Sequence, residues 1–198
     1  MTLAAAWAKD DPPGAEFAEI DLEPNRLVAR GVAIGTAPVP YRLEYALRTG
    51  AGFVTQRLEA TTAGAGWRRA IDLRRGPDGV WGATATAEGE LVSPEPGGDL
   101  AGLEAADCDL ALSPVTNLMP ILRHDLTRGG GPVELTVAWV SVPDLRVIPD
   151  GQRYRFLAGP DGGSVVRYEA ADGTFAADIA LDAGGLVVDF PGIARRIA

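Results

Sequence analysis

Tyr41-Arg42-Leu43-Glu44-Tyr45-Ala46-Leu47-Arg48 alternates cleanly, with Tyr41, Leu43, Tyr45 and Leu47 on one side of an extended chain and Arg42, Glu44 and Arg48 on the other. A period of two marks a strand with one dry face and one wet face. Outward from it, segments that alternate or are rich in Val, Leu and Tyr recur at 26–34, 53–62, 66–74, 80–86, 89–92, 132–142, 152–157, 164–169, 174–181 and 186–190. Glycines and prolines punctuate the joins, and Asp78-Gly79, Asp161-Gly162-Gly163, Asp172-Gly173 and Ala183-Gly184-Gly185 supply residues that tolerate positive φ. At least eleven strands joined by antiparallel hairpins are expected, the pattern of an all-β sandwich or barrel.

No helix-length run shows convincing i, i+3, i+4 spacing, and residues 99–107 offer at most a turn or two from an Asp99 cap. Residues 134–142 are apolar on both faces, which predicts a central strand with Trp139 in the core. Arg128-Gly129-Gly130-Gly131 lacks the Lys-Ser/Thr of a phosphate loop and reads as a hairpin loop, and residues 94–98 read as a loop within the domain.

A chain of 198 residues is long enough for one core without staples, so a single domain over 1–198 is expected. Its formal net charge of -9 argues against nucleic-acid binding. Cys108 has no partner for an internal disulfide and suits a reducing compartment. The start has only a six-residue apolar run, 3–8, with no basic residue before it, and no segment approaches the ~20 apolar residues needed to cross a bilayer. A soluble, cytoplasmic protein is the expectation.

The alternation breaks at Asp107-Cys108-Asp109-Leu110, and closely spaced polar groups continue through Thr116-Asn117 to Arg123. Together with Gly79-Val80-Trp81, Thr116-Asn117-Leu118-Met119-Pro120-Ile121-Leu122-Arg123, Trp139-Val140-Ser141-Val142-Pro143-Asp144-Leu145, Gln152-Arg153-Tyr154 and Gly185-Leu186-Val187-Val188-Asp189-Phe190-Pro191-Gly192, this segment resembles the bacterial "putative glycolipid-binding" family, formerly a domain of unknown function. The resemblance spans most of the chain. It implies a strongly curved antiparallel sheet, a half-barrel similar to periplasmic lipoprotein carriers, closing around an apolar cavity. In the family pattern two arginines and then a leucine follow Pro-Ile, whereas Leu122, Arg123 and His124 hold those places here. If a double arginine grips an anionic head group, half of that grip is absent.

Asp107 and Asp109 on one strand share a face, which suits ligand contact and meets only the lower separation limit for paired-carboxylate hydrolysis. Thr116 and Asn117 followed by Pro120 read as a turn or irregular edge, or, with Arg123, as an amide and a fork offered to sugar hydroxyls or phosphate. Among the aromatic residues, Trp81 beside its turn is placed at a cavity rim, and Tyr154 is a further candidate to stack on a ligand. His124 is the sole histidine, which rules out a multi-histidine metal site, and neither a Gly-x-Ser-x-Gly elbow nor a base for Cys108 is present. No catalytic residue, metal or cofactor is assigned.

The sequence supports three readings. The first is non-catalytic binding of a glycolipid or other amphiphile in the concave face, through Trp81, Asp107, Asp109, Thr116, Asn117, Arg123 and Tyr154. The second is a hydrolase of a lipid or sugar ester, which needs two of Asp107, Asp109 and His124 in one pocket. The third is a module that pairs with a peptide at a sheet edge or forms a homodimer.

Overall fold

The computed structural model describes residues 1–89, 94–158 and 163–198. Among these residues fourteen strands form one sheet: β1 (Thr2–Lys9), β2 (Gly14–Glu23), β3 (Arg26–Gly35), β4 (Tyr41–Thr49), β5 (Thr55–Gly64), β6 (Trp67–Arg75), β7 (Trp81–Gly89), β8 (Asp107–Leu110), β9 (Val133–Val140), β10 (Val147–Ala158), β11 (Ser164–Ala170), β12 (Ala176–Leu181), β13 (Val187–Phe190) and β14 (Ala194–Arg196). Their spatial order is β7-β6-β5-β4-β3-β2-β1-β14-β13-β12-β11-β10-β9-β8. The chain therefore starts in the middle of the sheet, runs outward to one edge, and returns from the opposite edge to pair its end with its beginning, Trp7 opposite Arg196.

The expected strands are present with shifted ends, apart from 89–92, of which 90–92 lie outside the described residues, as do Asp161 and Gly162 of one expected turn. The hairpin at Asp78-Gly79 forms as expected: Gly79 has φ +85° and Val80 N–H donates to Asp78 Oδ1 at 3.1 Å. Strands β1, β2, β8 and β14 come in addition to those the periodicity predicts. So does helix α1 (Pro114–Arg123), which corrects the reading of Thr116-Asn117 as a turn or irregular edge. Asp99 does cap a turn, its Oδ1 accepting from Ala101 N–H at 3.0 Å, but no helix follows.

Helix α1 has two reasons to exist. Pro114 stands in its first turn, where a missing N–H costs nothing. Every residue from Pro114 to Ile121 is buried, as expected of a helix enclosed on all sides. It links β8 to β9, and these two strands are parallel, whereas the other strand pairs among the described residues are antiparallel. Parallel neighbours need a crossover connection, and α1 with the glycine-rich loop that follows supplies it. That loop is thus not a hairpin loop. Strand β9 sits next to the sheet edge rather than at its centre.

The sheet is open but curled. Laid flat, the eleven strand steps from β5 to β8 would span roughly 50 Å. Instead Thr55, at the start of β5, donates its N–H to Ala106 O at 3.0 Å, and Cys108 N–H donates to Thr55 Oγ1 at 3.0 Å. The two arms of the sheet face each other with α1 between them. Leu118 and Met119 belong to the apolar cluster over β1–β6, and Ile121 to a second cluster with Tyr154, Val166 and Ile179 of the C-terminal strands.

Tyr45 shows how close packing depends on one glycine. It pairs across from Gly31, and a Cβ at Gly31 would lie 2.3 Å from its ring. With only hydrogen there, the ring lies over β3 and its hydroxyl donates to Glu16 Oε1 on β2 at 2.7 Å. Beside it sits Lys9, the one lysine of the chain, 2.9 Å from Glu16 Oε2.

Candidate functional site

A cavity of about 550 Å³ lies between the N-terminal end of α1 and the C-terminal strands, within the range usual for small-molecule sites. Its walls are mainly apolar, with Leu110, Trp139, Ile148, Phe175, Phe190 and Ile193 among them. Tyr168 joins this wall through rings at 5.6 Å from Phe190 and 5.9 Å from Phe175, and it is itself braced edge-on by Tyr154 at 5.3 Å. Aromatic rings so packed are rigid surfaces.

At the helix end the lining is polar, and its groups are held by a directed chain of hydrogen bonds. Asn117 Nδ2 donates to Tyr154 Oη at 2.9 Å, and Tyr154 Oη donates to Gln152 Oε1 at 3.1 Å. Gln152 Nε2 donates to Asp109 Oδ2 at 2.7 Å, while Thr116 Oγ1 donates to Asp109 Oδ1 at 2.6 Å. Every donor points toward the Asp109 carboxylate, which can only accept while ionised. Asp109 thereby receives a bond on each oxygen and has lone pairs left for a further donor.

Burial pushes the Asp109 carboxyl up from its ordinary value, opposed by the hydrogen bonds from Thr116 and Gln152. The same cause, followed by the Asp109 charge, pushes the Tyr154 phenol well above its ordinary range, so it stays protonated and donates. Ser113, at the N-cap of α1, makes no side-chain cap; its hydroxyl donates instead to Glu16 Oε1 at 2.6 Å, tying the helix to β2.

Of the residues singled out from the sequence, Asp109, Thr116, Asn117 and Tyr154 are brought into this one network, and Asp109 and Asn117 line the cavity. Asp107 and Arg123 form a separate, two-pronged ion pair near the other end of the helix, with Arg123 Nη1 at 2.8 Å from Asp107 Oδ1, and neither lines the cavity. Burial pushes the Asp107 carboxyl up and Arg123 counters it. Trp81 is buried in the N-terminal cluster, with its indole N–H donating to Ala105 O at 3.0 Å. Trp139 is half-buried and lines the cavity, so the two tryptophans exchange the places expected of them.

Asp150 and Phe175 join the site without having stood out in the sequence, whereas Gln152 and Phe190 stood there only within the family pattern and Tyr168 only as one of several aromatic residues able to line a cavity. Gln152 alone carries a local signal, as a polar residue at an inward position of an alternating strand. His124 caps the far end of α1, so of Asp107, Asp109 and His124 only Asp109 reaches the cavity. Among the described residues no group of three or more His, Cys, Asp or Glu side chains is placed to hold a metal ion, and no helix is long and apolar enough to cross a membrane.

An open all-β sheet curled around one helix, with an aromatic-walled cavity at the helix end, is the class this molecule falls into. Residues 4–196 match the family described as "Putative glycolipid-binding", and the chain belongs to that family. A crystal structure of a DUF1089 family protein from Pseudomonas aeruginosa superposes with a TM-score of 0.69 at 25% sequence identity, over 92% of this chain and 92% of that one. Among curated proteins no sequence matches.

Proposed function

We propose that the protein binds an amphiphile, with its apolar portion against the aromatic wall and a sugar-like head group at Asp109 and Asn117. The observation that carries this reading is the division of the cavity into an apolar wall and a polar end whose groups are pre-oriented by the Asn117–Tyr154–Gln152–Asp109 chain. Fixed acceptors and an amide suit hydroxyl recognition, and Trp139 supplies a face for stacking. Burying an acyl chain contributes about 0.8 kcal/mol per CH₂, so the tail would supply most of the affinity. The family's description points the same way.

Native mass spectrometry of the protein purified from a bacterial host, followed by organic extraction, tests the reading. A stoichiometric amphiphile that is lost in Trp139→Ala is the expected result. Protein that carries none, and that takes up no fluorescent lipid when offered it, would overturn the proposal.

A further inference from the structure

The charge of the cavity lining narrows the head group, an inference that rests on amphiphile binding at this same cavity. The ionisable carboxylates that line it are Asp109, Asp150 and Asp172; no lysine, arginine or histidine lines it among the described residues. Arg123 pairs with Asp107, Arg153 with Glu134 at 2.8 Å, and Arg167 with Asp178 at 3.1 Å. A phosphate, sulfate or carboxylate head group would meet three acidic side chains and no lining cation. Like charges brought together in a desolvated site oppose binding strongly.

The three carboxylates are held differently. Asp109 ends the hydrogen-bond chain from Asn117. Asp150 is half-buried beside it, with its Oδ2 at 3.3 Å from Gln152 Nε2. Asp172 is exposed at the rim, where the backbone N–H and hydroxyl of Thr174 hold its carboxyl below the ordinary value. Trp139, the register neighbour of Asp109 on β9, lines the same cavity together with Tyr168 and Phe175. Carboxylates and aromatic faces around one volume are the two groups that attract an ammonium, by charge and by the ring quadrupole.

We propose that the cavity selects amphiphiles whose sugar head carries an amine and no negative charge, an amino-sugar glycolipid being the ligand class, with Asp109 and Asp150 as the residues that set the preference.

The test holds the tail constant and changes the head. An n-alkyl glucoside, its 2-amino-2-deoxy analogue and the corresponding glucuronide are titrated into the full-length protein by calorimetry at pH 7 and low salt. The expected order is amine tightest, glucoside next and glucuronide weakest, with at least about tenfold between the first and the last. In Asp150→Asn the amine-to-glucuronide ratio should fall, and in wild type it should fall as salt rises. A glucuronide that binds as tightly as the amine overturns the head-group inference and leaves amphiphile binding standing. If none of the three binds, the binding reading itself fails. An unchanged ratio in both Asp150→Asn and Asp109→Asn would remove these two residues as its source.

Discussion

Lys9 Nζ lies 2.9 Å from Glu16 Oε2 with both side chains essentially out of solvent. The pair joins neighbouring strands at the middle of the sheet, and Glu16 reaches further: its Oε1 accepts from Tyr45 on β4 and from Ser113 at the head of α1. One carboxylate thus fastens the helix to the sheet beneath it.

Replacing one partner of such a pair leaves a buried charge uncompensated. Lys9→Met should lower stability by roughly 3–5 kcal/mol, read as a drop in the urea midpoint without a change of slope. A loss below about 1 kcal/mol, the value of an exposed pair, would contradict the buried assignment.

Gly31→Ala should destabilise by about 1–3 kcal/mol through overpacking, because its Cβ meets the Tyr45 ring at 2.3 Å. The effect runs through that ring, so Gly31→Ala made in a Tyr45→Ala background should cost less than in wild type. Additive costs in a double-mutant cycle would show that the two residues do not act on each other.

Arg123→Ala should reduce stability rather than select among head groups, since Arg123 pairs with buried Asp107 and does not line the cavity. Adding Asp107→Asn should recover part of the loss, because the stranded charge is then gone. Denaturation curves of the two variants side by side decide this, and equal midpoints would count against it.

The raised carboxyl of Asp109 gives a pH dependence with a definite sign. The folded state holds this proton more tightly than the unfolded chain, so the associated stabilisation is complete below the ordinary value of 3.8. It is lost as pH rises through the folded value. Asp109→Asn removes the titration and carries a constant offset from its altered hydrogen bonds. Its midpoint relative to wild type should therefore improve as pH rises above 3.8, and a flat difference between the two would refute the shift.

Cys108 should resist thiol reagents in the native protein at pH 8. Burial pushes its thiol up to about 12, and its Sγ is covered by Thr55 at 3.6 Å. Colour from a disulfide reagent should develop only on unfolding; rapid stoichiometric reaction in buffer would show that the two arms of the sheet part at β5 and β8.

Sequence periodicity alone determined most of the sheet. Tyr41, Leu43, Tyr45 and Leu47 all face inward, and the turns at Asp78-Gly79 and Asp172-Gly173 fall where those steps permit them, because strand alternation and positive φ are local properties. The network around Asp109 was legible only residue by residue. Asp109, Thr116, Asn117 and Tyr154 were visible as polar or aromatic candidates, but their connection runs through Gln152, forty-three positions from Asp109.

Tertiary structure decided the remainder. Strand β1 is an alanine-rich segment whose own propensity favours helix, and it is extended because β2 and β14 flank it, the latter nearly the whole chain away. Helix α1, with Thr116, Asn117 and Pro120 inside it, has weak local reasons to form and strong reasons from burial between the two arms. Trp81 went to the core and Trp139 to the cavity for the same cause: which face of a strand is enclosed depends on how the sheet curls. That curl is set by contacts between distant residues, such as Thr55 with Cys108, to which local sequence patterns are blind.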